Sequence, residues 1–147
     1  MSDVESTTNY PAYYVIDKEK IGEINKLRDK SIILIGFSGG FRRNEIVSLN
    51  TENLDFVFEG LKITVQKSKT DQFGEGLIKG IPHFENKLYC PVTTVRRWLN
   101  ISKIKEGPLF RRFTKGSKLS SKRLSDQSVA LIIKHYINLT GINSINY

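Results

Sequence analysis

The spacing of apolar residues changes several times along the chain, and each change predicts an element. Ile21, Ile24 and Leu27 keep helical spacing behind Asp17, which can cap a helix, while Ile16 and Ile21 have the spacing of a hydrophobic staple. From Arg28 to Phe37 the pattern becomes apolar nearly all round, which predicts a central, buried helix. Gly39 and Gly40 break it. Ile46 and Leu49 then resume helical spacing over a short stretch closed by Asn50 and Asn53.

The period switches to two at Leu61, where Leu61, Ile63 and Val65 alternate with Lys62, Thr64 and Gln66, as in a half-buried strand. A second run, Leu77 to Pro82, follows a loop from Thr70 to Gly76, so the two pair most simply as a β-hairpin, with Pro82 at an end or an edge. Beyond it Pro91 suits the first turn of a helix whose Val92, Val95, Trp98 and Leu99 share a face. Ser125 reads as the cap of a last helix, with the staple pair Leu124 and Val129. Its stripe of Val129, Ile132, Ile133, Tyr136 and Ile137 ends at Gly141. Residues 1–15 have no apolar period and read as a flexible lead-in, so the folded part is 16–147. The expected class is α+β, mainly helical with a small antiparallel β-sheet.

Composition narrows the picture. At 147 residues, 39% hydrophobic and 26% charged, the chain is suited to one packed domain rather than to disorder. Its longest apolar stretch, Ser31 to Phe37, is far short of the roughly 20 residues that cross a bilayer, and the N-terminus has no signal-like pattern. A cytoplasmic protein with no membrane partner is expected. With one cysteine, Cys90, and two histidines, His83 and His135, no cluster has zinc-ligand spacing, so no metal is expected.

Charge is distributed unevenly. Residues 1–60 hold seven lysines and arginines against ten acids, a net of −3, whereas residues 61–147 hold sixteen against five, a net of +11. No acid lies between Glu106 and Asp126, while Arg111, Arg112, Lys115, Lys118, Lys122 and Arg123 fall within thirteen positions. Such a field concentrates polyanions, and nucleic acid is the expected partner; the competing reading is a solvated, solubilising loop.

Two short segments carry candidate chemistry. In Gly39-Gly40-Phe41-Arg42-Arg43-Asn44-Glu45-Ile46, glycines and arginines stand at a helix start, where backbone N–H groups, a dipole and a guanidinium fork could hold a phosphate. The alternative is an ion pair between Arg42 and Glu45 at i,i+3. In Gln66-Lys67-Ser68-Lys69-Thr70, continued alternation gives Lys67 and Lys69 the parity of Leu61, Ile63 and Val65, turned inward, where a desolvated lysine can donate a proton. Lysines that blunt a sheet edge would have the same pattern.

In their order these segments resemble the catalytic domain of the tyrosine recombinase (phage integrase) family. Leu27-Arg28-Asp29-Lys30, the apolar helix and Gly40-Phe41-Arg42-Arg43-Asn44-Glu45-Ile46 are similar to its first box, Ser68-Lys69-Thr70 to its hairpin lysine, and Cys90-Pro91-Val92, Gly107-Pro108-Leu109-Phe110 and Leu124-Ser125-Asp126 to later segments. The resemblance covers Leu27 to Tyr147. It implies that Arg42 grips a scissile phosphate and that Lys69, or else Lys67, protonates the leaving 5′-hydroxyl. DNA contacts would come from Arg43, Lys67, Arg111, Arg112, Lys118, Lys122 and Arg123. It also implies transesterification through a tyrosine, with no metal or nucleotide cofactor.

The family's second box, His-x-x-Arg followed by a nucleophilic tyrosine, has no counterpart here. His83 is followed by Phe84-Glu85-Asn86 and His135 by Tyr136-Ile137-Asn138. Tyr89 and Tyr136 sit in core-like contexts. The expectation is therefore the N-terminal part of a catalytic domain, DNA-binding but catalytically incompetent alone, with a separate polypeptide supplying the C-terminal half. The alternative is a non-catalytic DNA-binding module or an inert remnant of a disrupted integrase gene.

Overall fold

Leu27 and the unbroken run Ile32, Ile33, Leu34 and Ile35 are buried in helix α1, Glu23–Gly39, in a computed structural model that describes residues 22–65, 76–116 and 118–141. Burial of four successive residues means that the helix is covered on every side there, as its apolar run predicts. Phe37 departs from that expectation. It lies in the last turn, past the cover, and is 65% exposed. The helix begins after Gly22; the anticipated cap Asp17 lies outside the described residues.

The double glycine ends α1 for two separate reasons. Gly40 takes φ 63°, a left-handed cap for which glycine carries no Cβ penalty, and Phe41 N–H reaches back to the Gly36 carbonyl at 3.2 Å. At Gly39 a Cβ would stand 2.3 Å from the Phe41 ring, so the glycine makes room for the aromatic side chain to fold over the helix end. Helix α2, Arg43–Ser48, follows at once and buries Ile46. A 3-10 turn, Thr51–Asn53, leads to strand β1, Leu54–Val57, which the sequence pattern did not indicate.

Strands β2, Gly60–Val65, and β3, Leu77–Pro82, form the expected hairpin, and the antiparallel order is β1-β2-β3. Leu61, Ile63 and Val65 all face the core while Lys62 is exposed. Pro82 closes β3, an edge strand, where a missing N–H costs no ladder bond. Helix α3, Pro91–Ser102, starts with Pro91 in its first turn and buries Val92, Val95 and Trp98 against α1. Helix α4, Asp126–Leu139, is capped by Ser125, whose Oγ accepts the Ser128 N–H at 3.1 Å, and packs on α2.

Between α3 and α4 the cationic run forms a second antiparallel sheet, β4, Arg111–Thr114, with β5, Lys118–Arg123. It is neither a loop nor a featureless charged stretch. Lysines and serines mask its period, and the partly buried pair Phe113 and Leu119 packs it on the core. The core is thus shared by both sheets and all four helices of the described residues. At its centre Trp98 is fully buried, meets Phe113 edge-on at 6.5 Å and donates Nε1–H to the Leu109 carbonyl at 2.9 Å.

One polar knot lies inside this core. The Asp29 carboxylate is buried on α1, where Oδ1 accepts from Arg28 Nη2 at 2.9 Å and Oδ2 from the Tyr136 hydroxyl of α4 at 2.9 Å. Burial raises its pKa above the ordinary 3.8, and the Arg28 guanidinium opposes that shift. Arg28 also stacks over Phe113 and donates to the Arg111 carbonyl at 3.1 Å. The knot therefore ties α1 to both α4 and β4. Among the described residues no helix is long and apolar enough to cross a membrane.

Candidate nucleic-acid interface

Arg42 occupies the position just before α2, and its fully extended backbone there lets the chain leave the Gly40 turn and enter the helix. Its backbone N–H donates to Glu45 Oε1 at 2.8 Å, one side of a capping box. This differs from the side-chain ion pair that the i,i+3 spacing allows. Glu45 is occupied by the main chain of Arg42, so the exposed guanidinium has no partner among the described residues. Arg43 and Asn44 beside it are exposed as well. Because α2 has only six residues, its dipole is small, so an anion placed at this turn would be held chiefly by the guanidinium fork.

Lys79 on β3 reaches the same turn. Its ammonium donates to the Gly40 carbonyl at 3.0 Å, lies 4.4 Å from the Phe41 ring centroid and stands 3.9 Å from Glu45 Oε1. Lys79 is not among the residues that the sequence motifs point to. The available signal was parity: Lys79 lies two residues before buried Ile81 and is paired with buried Ile63, the same inward reasoning applied to Lys67 and Lys69. Those two lysines lie outside the described residues, between the ends of β2 and β3.

The cationic hairpin divides into two kinds of residue. Arg111 and Arg123, directly paired across the strands, turn their guanidinium groups toward the protein. Arg123 Nη1 donates to the carbonyls of Val47 at 2.7 Å and Leu49 at 3.2 Å, and Nη2 to Asn50 Oδ1 at 2.6 Å, so it caps the C-terminal end of α2. Arg111 Nε donates to the Pro108 carbonyl at 2.7 Å and Nη2 to that of Glu106. Their charge remains, but their donors are largely occupied. Arg112, Lys118 and Lys122 are exposed, with no side-chain partner among the described residues. They are the members of the run whose charge faces solvent.

The Arg123 cap also links the two cationic regions, because it anchors the end of β5 to the helix whose beginning carries Arg42. Tyr136, by contrast, is buried with its hydroxyl committed to Asp29, and Tyr89 is half-buried with Lys30 Nζ 5.1 Å from its ring centroid. The described surface thus combines a free arginine at a helix start, a strand lysine braced against it and a basic hairpin.

No protein-family model matches the chain. It is 39% identical over 142 residues to a protein named Integrase/recombinase xerD homolog from Selenomonas ruminantium. The match takes in 97% of this chain and 41% of that relative. Over nearly its whole length, this chain is similar to part of that integrase/recombinase homologue, and it spans less than half of the relative's length.

Proposed function

We propose that this chain is a DNA-engaging portion of a tyrosine recombinase catalytic domain, acting on double-stranded DNA in the cytoplasm. Arg42 binds the non-bridging oxygens of the phosphate to be cleaved, and its exposed guanidinium, without a partner among the described residues, is the observation that supports this reading most directly. As charge develops on those oxygens, a guanidinium fork stabilises it more than in the ground state. Lys69, or Lys67, supplies the proton to the leaving 5′-hydroxyl. Arg43, Arg112, Lys118 and Lys122 contact backbone phosphates, while Arg111 and Arg123 add charge and hold the hairpin in place.

These 147 residues contain no His-x-x-Arg, and their tyrosines offer no evident nucleophile. Alone they bind DNA without cleaving it, because groups that act as a unit leave little catalysis when several are missing. A second polypeptide bearing the other groups would complete the site. The test pairs two measurements on the chain. Fluorescence anisotropy with a mixed-sequence duplex should give an affinity that falls steeply with salt and drops about tenfold in Arg42→Ala. A nicked suicide duplex should give no covalent adduct. Salt-independent binding, or an adduct with the chain alone, would each refute the corresponding half of the proposal.

A further inference from the structure

We infer that Lys79 is a positioning residue for Arg42: it holds the turn from Gly40 to Glu45 in the shape that presents the Arg42 guanidinium to a phosphate. The inference rests on the reading of Arg42 as a phosphate contact. Its physical basis is the way the contacts of Lys79 are distributed. They fall on Gly40, Phe41 and Glu45, on both sides of Arg42, and leave the Arg42 guanidinium itself untouched.

This turn needs such a brace. Gly40 sits at positive φ, where glycine keeps the most backbone freedom, and α2 behind it is only six residues, too short to hold its own shape. Glu45 Oε1 is shared: it accepts the Arg42 N–H at 2.8 Å and faces Lys79 Nζ at 3.9 Å. An ammonium beside that carboxylate keeps it oriented, so the cap on Arg42 is reinforced from the sheet. Lys79 has a side chain only 19% exposed and a carbonyl, a ring and a carboxylate around its ammonium. It is therefore better placed to fix the turn than to reach a phosphate. β3 is also the return strand of the hairpin whose connecting segment carries Lys67 and Lys69, so the brace joins that hairpin to the Arg42 turn.

The experiment is a double-mutant cycle on the 147-residue chain, read by anisotropy with a mixed-sequence DNA duplex across a salt series. Arg42→Ala should weaken binding about tenfold and lower the salt slope by about one phosphate contact. Lys79→Met, which keeps the apolar stem, should reproduce most of that loss. The double variant should be no weaker than Arg42→Ala within about twofold, because the brace acts only through Arg42. Lys79→Arg should recover binding, as it keeps a cation over Phe41 and a donor for Gly40. The Arg42 amide should exchange faster with solvent in Lys79→Met than in the parent.

Additive losses with a further drop in salt slope would make Lys79 a phosphate contact and overturn the inference. So would a Lys79→Met variant that melts earlier but binds with the full Arg42 contribution. If Arg42→Ala itself leaves affinity unchanged, it is the underlying phosphate reading that fails. Should Lys79→Met not fold, Glu45→Gln takes its place. It keeps an acceptor for the Arg42 amide, removes the charge facing Lys79, and must show the same non-additivity with Arg42→Ala.

Discussion

The Arg123 guanidinium on β5 donates to the carbonyl of Val47, 76 residues earlier, at 2.7 Å, and so closes the open C-terminal end of α2. A six-residue helix leaves most of its carbonyls without intrahelical partners, and a planar fork is suited to collecting several at once. Arg123→Ala should therefore destabilise the fold by about 2 kcal/mol, as hydrogen bonds to a charged group are lost together. Arg123→Lys should recover only a fraction of that, since a single ammonium cannot span Val47, Leu49 and Asn50. Urea denaturation measures both, and a stability loss below that of an ordinary surface substitution would remove the cap from the account.

The exposed cations of the hairpin should behave in the opposite way. Changing Arg112, Lys118 and Lys122 together to Glu should leave the melting temperature near that of the parent, because none of them has a side-chain partner among the described residues. The same triple variant should lose most duplex affinity and flatten the salt dependence, with a log-log slope of roughly −0.9 per phosphate contacted. Unchanged binding would mean that the hairpin charges serve solubility alone.

Asp29 predicts a pH effect of unusual sign for a carboxylate. Burial raises its pKa, against the pull of Arg28, so between the ordinary 3.8 and the raised value the folded chain holds a proton that the unfolded chain has released. Unfolding then releases a proton, and this group's contribution to stability falls as pH rises from about 3.8 to the raised pKa, after which it is constant. The difference between parent and Asp29→Asn in chemical denaturation, followed across that window, should show this decline. A difference that grows more favourable to the parent with rising pH would reverse the assignment.

Trp98 is the single tryptophan, so intrinsic fluorescence reports on the core directly. Its emission should be blue-shifted in the folded chain and move to the red on unfolding, as expected for a fully buried indole. Trp98→Phe preserves most of the apolar volume but leaves the Leu109 carbonyl without its 2.9 Å donor, which should cost about 1–3 kcal/mol. A loss well under that range would show that the indole N–H contributes little and that packing alone secures the site.

Much of the scaffold was legible in the residue pattern because it depends on local periodicity. The apolar run of α1, the alternation of β2, Pro91 at the start of α3 and Ser125 as the cap of α4 each follow from where side chains fall on a helix or a pleated strand. The resemblance to recombinases, carried by the segment around Arg42, agrees with the relationship found across 142 residues. No local period marks the four-residue strand β1, and β4 with β5 reads as charge alone, because such short strands are held by pairing and by a few inward residues such as Phe113 and Leu119.

What each charged residue does was decided by the tertiary structure. Arg111, Arg112, Lys118, Lys122 and Arg123 form one basic run in the sequence, yet the pleat and the neighbouring carbonyls turn Arg111 and Arg123 inward and leave the others outside. Arg42 and Glu45 have the spacing of an ion pair, but the short helix needs a cap, so the carboxylate goes to the Arg42 amide and the guanidinium is left without a partner among the described residues. Lys79 meets that turn only because β3 folds back beside it. Period set by covalent neighbours determined the four helices of the described residues and the β2–β3 hairpin, in their order. Contacts between residues far apart in the chain, which no local pattern encodes, determined which cations are structural and which face outward.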